Sequence, residues 1–150
     1  MSIALVRRSP ARPLAVLAVL VIVLAVLLTG CEKGSSAHCR GVDPHECTFT
    51  VDSTDEGFQR SLEANRTHTE MTLSATVSIE SGSGTVYVEG ADDTPIEYPI
   101  TADTPVTITD LVVPLKEGRT NQDDNYALFG IASDGELEGF HAEVTFTTRR

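Results

Sequence analysis

The chain predicts a small antiparallel β-sandwich of about seven strands, with a partly open barrel as the alternative. Two observations carry this. From Cys47 onward apolar and polar residues alternate with a period of two, as half-wet strands require. The connections between the alternating runs are also too short for the crossovers that parallel strands need.

The elements follow in order. Phe49 and Val51 supply a first short strand, and Asp55–Ala64 is ambiguous, since Phe58 and Leu62 fit a helical turn or a strand equally well. Met71, Leu73, Ala75, Val77 and Ile79 alternate with Thr72, Ser74, Thr76, Ser78 and Glu80, giving a strand with one wet face. Ser81-Gly-Ser-Gly84 turns the chain into Thr85–Glu89, with Val86 and Val88 inward. Ile96, Tyr98 and Ile100 form the next alternation. Pro95 and Pro99 lack ladder donors there and place that strand at a sheet edge. Val106, Ile108, Leu111 and Val113 lead to Pro114, which closes their strand. Tyr126–Ala132 is mostly apolar and reads as central, and Phe140, Ala142, Val144 and Phe146 make the last alternation. With five Phe, three Tyr and no Trp, the core is lean in aromatics.

The first thirty residues are of another kind. Arg7, Arg8 and Arg12 precede a 15-residue apolar run, Leu14 to Leu28. That is short of the ~18–20 residues of a spanning helix and suits the apolar region of a signal peptide. Leu28-Thr29-Gly30-Cys31 follows at once. In its first 31 residues the chain resembles the bacterial lipoprotein family, whose lipobox is an aliphatic residue, two small residues and a cysteine. The resemblance implies a signal peptide at 1–30, cut before Cys31, with lipid on the Cys31 thiol and amine. Glu32, in place of the aspartate that retains some lipoproteins at an inner membrane, favours an outer membrane where the cell has one.

Every one of the 22 Asp and Glu lies beyond residue 30, against 8 of the 11 Lys and Arg, a net charge of −14 over 120 residues. Such a surface repels phosphate backbones and anionic headgroups. Nucleic acid is excluded as a partner, and the membrane is reached through lipid rather than through charge.

Glu32 to His38 is polar and contains Gly and Ser, which predicts a flexible tether over residues 31–38 and a folded domain over 39–150. With Cys31 lipidated, Cys39 and Cys47 are left in an oxidising compartment, eight residues apart around Gly41 and Asp43-Pro44, and a disulfide is expected. The alternative is a soft-metal site of His38, Cys39, His45 and Cys47, although neighbouring His38 and Cys39 are poorly placed to converge on one ion.

No Gly-x-Ser-x-Gly elbow, Ser-x-x-Lys pair or metalloprotease helix is present, and beyond the cysteine loop there are two histidines, His68 and His141. The expectation is a protein that is not an enzyme and needs no cofactor. Calcium is the best small-ligand candidate, because hard oxygen ligands occur in three predicted loops: Asp92-Asp93, Asn121-Gln-Asp123-Asp124-Asn125 and Asp134-Gly-Glu136. None matches a known calcium loop, and acidic turns on an acidic protein need no metal. Carbohydrate binding is disfavoured by the absence of tryptophan, with Tyr87 the one aromatic turned away from its strand's apolar face. The function expected is therefore a lipid-anchored binding or assembly module with an envelope protein partner, contacted through the edge strand at Ile96–Ile100 or the acidic loops; the alternatives are a metal-ion binding lipoprotein, with calcium at those loops or a soft metal at the His/Cys loop, and an envelope hydrolase. Replacement Cys31→Ala should leave an unlipidated, uncut precursor, visible as a mass increase on the cell-associated protein. A normal cut in that variant would overturn the lipobox.

Overall fold

A strand with one apolar row buries it only against a second such row, so alternating strands assemble as facing sheets. The computed structural model describes residues 33–120 and 123–150, and these form nine strands without a helix. The strands are β1 (Lys33–Arg40), β2 (His45–Thr54), β3 (Phe58–Ala64), β4 (Glu70–Ser78), β5 (Ser83–Glu89), β6 (Pro95–Thr101), β7 (Val106–Pro114), β8 (Asn125–Ser133) and β9 (Leu137–Arg149). One sheet has the order β1-β2-β9-β4-β7 and the other β3-β8-β5-β6, with every neighbouring pair antiparallel. The two sheets remain separate, which makes the domain a sandwich and not a barrel. The predicted signal peptide, Cys31 and Glu32 lie outside the described residues, as do Asn121 and Gln122.

The inward rows are those the alternation predicts. Met71, Leu73, Ala75, Val77 and Ile79 are buried from one sheet, and Val86, Val88, Phe129 and Ile131 from the other. Four phenylalanines join the layers. Phe49 of β2 meets Phe58 of β3 and Phe129 of β8, at ring-centroid distances of 5.7 and 5.9 Å, and Phe58 meets Phe140 of β9 at 5.4 Å. All three contacts cross between the sheets. Aromatic pairs in such offset and tilted arrangements contribute about 0.5–1.5 kcal/mol each beyond the area they bury.

Three local features depart from the sequence expectation or refine it. The segment read as a tether is strand β1, so the domain begins at residue 33 and not at 39. It pairs along its length with β2, from Lys33↔Ser53 to Arg40↔Glu46, with Ser36 Oγ and Thr50 Oγ1 hydrogen-bonded at 2.7 Å and Arg40 Nε donating to Glu46 Oε2 at 2.9 Å. None of its described side chains is buried, so it carries no apolar row to read. The ambiguous segment is likewise a strand, with Phe58, Leu62 and Ala64 inward. In β7 the inward parity changes from Val106 and Ile108 to Val113. A register shift against β4 between Leu73 and Ala75 accommodates this, with Asp110 at φ 47° and its N–H donating to Ser74 Oγ at 3.0 Å. The edge position of the strand with two prolines is as expected, since β6 is outermost and Ile96 is 40% exposed.

Cys39 and Cys47 are opposite one another in the β1–β2 ladder and are joined by a disulfide. Because β1 buries nothing, this bond and the ladder hold it in place. Reduction should lower unfolding free energy by about 2–3 kcal/mol in denaturant titrations, as closure of so short a loop predicts. Hydrogen exchange should show the β1 amides losing protection before those of β4 and β9.

Candidate functional site

At the end of the sandwich where β1 and β3 finish, the inward rows run out of apolar residues while the strands continue. On β2 the row Val51, Phe49, Cys47 ends in half-buried His45. On β9 it passes from Val144 and Phe146 to half-buried Thr148 and exposed Arg150. With the last residues of β3 and the loop that follows, these positions enclose an open cleft of about 580 Å³.

His45 is opposite Phe146 in the β2–β9 ladder, and their rings stack with centroids 4.6 Å apart and planes 10° from parallel. The disulfide forms the adjoining wall, and Val42, 85% exposed at the tip of the β1–β2 turn, forms the lip. Across from them, Ser61, Leu62, Glu63 and Ala64 of β3 lead into Asn65, Thr67 and His68. His68 is tied to β9, its Nδ1 lying 2.6 Å from Thr148 Oγ1. Asn65 Oδ1 accepts from the Thr67 N–H at 3.0 Å and from its hydroxyl at 2.9 Å, which shapes this loop as an Asx turn. Asp124 completes the rim.

Behind the rim is Asn125. Its side chain is buried, donating through Nδ2 to the carbonyls of Arg66 at 3.2 Å and His68 at 2.8 Å, and accepting through Oδ1 from the Gly118 N–H at 3.2 Å. It therefore fastens the β3–β4 loop to the β7–β8 loop, and its oxygen is engaged by the backbone.

The other predicted calcium ligands are not gathered with it. Asp93, at φ 54°, is salt-bridged to Lys116, whose Nζ also contacts Glu89 Oε1 at 2.6 Å. The hydrogen bonds it donates to Asp93 and then to Glu89 raise the Lys116 pKa above its ordinary value. Asp92 Oδ1 accepts from the Thr94 N–H at 3.3 Å, closing its own turn. Asp123 Oδ2 accepts from the Thr120 N–H at 2.9 Å. Asp134 and Glu136 are in the β8–β9 turn, at the opposite end of the sandwich. Among the described residues no group of three His, Cys, Asp or Glu comes close enough to hold a metal ion. In the cysteine loop the thiols have bonded to each other, and His38, next to Cys39 on β1, pairs with Thr48.

Tyr87, the aromatic expected to face outward, does so and is half-buried. It lies over Gly130, where a Cβ would meet its hydroxyl oxygen at 2.7 Å, and donates to Gln59 Oε1 at 2.8 Å, crossing β8 from β5 to β3. Burial there, and secondarily the Glu89 carboxylate, raise its pKa above the usual tyrosine value.

The sequence gives Phe146, His68 and Thr148 no site role and makes His45 only a candidate soft-metal ligand, not a cleft residue. For two of them a signal was present: His45 and Thr148 continue the inward parities of β2 and β9 past the last aliphatic residue.

No protein-family model and no curated protein matches the chain. Among solved structures, it is similar to the CBM22-1 xylan-binding domain of Paenibacillus barcinonensis Xyn10C, with 14% identity over 79% of this chain and 90% of that one and a TM-score of 0.43. It is also similar to the CBM6cm-2 carbohydrate-binding module of Cellvibrio mixtus lichenase 5A, solved with cellotriose, with 16% identity over 80% and 91% and a TM-score of 0.37. Each likeness is one of architecture alone.

If Asn125 fastens the two loops, Asn125→Asp should destabilise the domain by about 3 kcal/mol, because a buried carboxylate would face two carbonyls that now receive donors. Thermal unfolding at neutral pH measures this, and Asp92→Asn, at an exposed turn, should leave the transition within about 0.5 kcal/mol of the parent.

Proposed function

We propose that this protein is a non-catalytic binding module of a bacterial cell envelope, held on a membrane by lipid at Cys31, and that the cleft beside β3 receives a short saccharide. The cleft itself carries the reading. It combines a flat aromatic stack of His45 on Phe146 with the carboxylates of Glu63 and Asp124 and the hydroxyls of Ser61 and Thr67. A sugar ring offers the complements to both, an apolar ring face for stacking and hydroxyls for donation to carboxylates. The non-catalytic part of the reading is supported by how the imidazoles are used: His45 is stacked and His68 is tied to Thr148. The anchor rests on the Leu28–Cys31 lipobox and the arginines and apolar run before it.

Mature protein should retain members of an immobilised glycan panel, and calorimetry with the best of them gives the affinity. Replacement His45→Ala should weaken binding roughly three- to tenfold, the loss of one stacking contact, with the fold intact by circular dichroism. Tyr98→Asp, on the edge strand β6, should leave the affinity unchanged. Equal losses in both variants would remove the cleft as the site, and a panel with no retained glycan would overturn the ligand class.

A further inference from the structure

The position of β1 has a consequence for where the cleft points. Cys31 is separated from the first residue of β1 by Glu32 alone, so the Cα that bears the lipidated side chain can lie no more than about 7 Å from the Cα of Lys33, two extended residues away. β1 then runs the length of the sandwich. It starts at Lys33, paired with Ser53 near the β2–β3 turn, and ends at Arg40, paired with Glu46 beside the cleft. Eight residues of strand place those two ends about 23 Å apart. The disulfide and the ladder hold β1 to the domain, and it acts as a strut in place of the flexible tether that its composition predicts.

Both ends of the sandwich are acidic. The loops at the starting end of β1 contain Asp55, Glu56, Glu80, Asp103, Asp134 and Glu136 and neither lysine nor arginine. At the opposite end, in or beside the loops, Arg40, Arg66, Lys116, Arg119, Arg149 and Arg150 are outnumbered by acids, among them Asp43, Glu46, Asp92, Asp93, Glu117, Asp123 and Asp124. An anionic lipid surface therefore attracts neither end, and the short connection to Cys31 decides which end is nearer the membrane.

We infer that the domain stands on the end where β1 starts, with the cleft facing away from the membrane that anchors it, so that the ligand is a component of the aqueous phase or of a facing surface and not of the anchoring bilayer. This rests on lipidation at Cys31. The test uses the full lipidated protein in vesicles of phosphatidylethanolamine and phosphatidylglycerol carrying a headgroup-linked quencher. A fluorophore is attached through an azide-bearing side chain placed at Asp55, near the start of β1, or at Val42, on the lip of the cleft. Quenching should be at least about threefold stronger at position 55 than at 42, as the length of β1 requires. Ten Gly and Ser residues inserted between Glu32 and Lys33 should erase most of that contrast. A Cys31 peptide without lipid in the mass spectrum would overturn the anchor and this inference together. Lipidated protein quenched equally at the two positions, or a contrast that survives the insertion, would overturn the orientation and leave the anchor standing.

Discussion

The structure depends on four phenylalanines. Phe49 and Phe140 come from the five-stranded sheet and Phe58 and Phe129 from the four-stranded one, and each of their contacts crosses the midplane. With no tryptophan and few other rings, this group is where the two layers meet through aromatic surface, and the aliphatic rows of β4, β5 and β9 extend the contact in either direction. Once it is in place, the parity of β2, β3, β8 and β9 is decided, because a slip of one residue on any of these strands would turn its phenylalanine to water.

The cleft follows from the same parity. β2 and β9 are longer than the aliphatic rows they carry, and their inward positions pass into His45, Thr148 and Arg150. The polar row leaves an opening where valines would close the sheets together, and the disulfide and the β3–β4 loop, which Asn125 holds from behind, give it walls. The fifth phenylalanine marks the boundary, with its ring stacked on His45 of β2.

Much of this was legible in the residues. The alternations of β4, β5 and β9 named their own inward rows, the prolines at 95 and 99 placed β6 at an edge, and the cysteine spacing pointed to the bond that forms. β1 was hidden because a strand wet on both faces has no hydrophobic period, and its composition is that of a linker. The shift in β7 was hidden because a bulge is a relation between two strands, and Ser74 and Asp110, which shape it, are 36 positions apart. The cleft was only half visible. Parity pointed to His45 and Thr148, but the pairing of β2 with β9, which sets His45 against Phe146, is a long-range fact. The buried amide of Asn125 shows why the acidic loops misled: in a run of Asp and Asn, the one side chain with a structural task differs from its neighbours only in where the backbone carries it.

A sandwich has four open edges, and an open edge can recruit a strand from another molecule into a growing sheet. Along β6 the prolines at 95 and 99 remove two of the donors such a recruit would need. Along β7 the bulge at Asp110 twists the ladder out of line midway. Two of the four edges therefore make poor templates, and the devices responsible touch neither the core nor the cleft. Resistance to sheet-to-sheet aggregation is in this way written into residues that contribute little to holding the domain together.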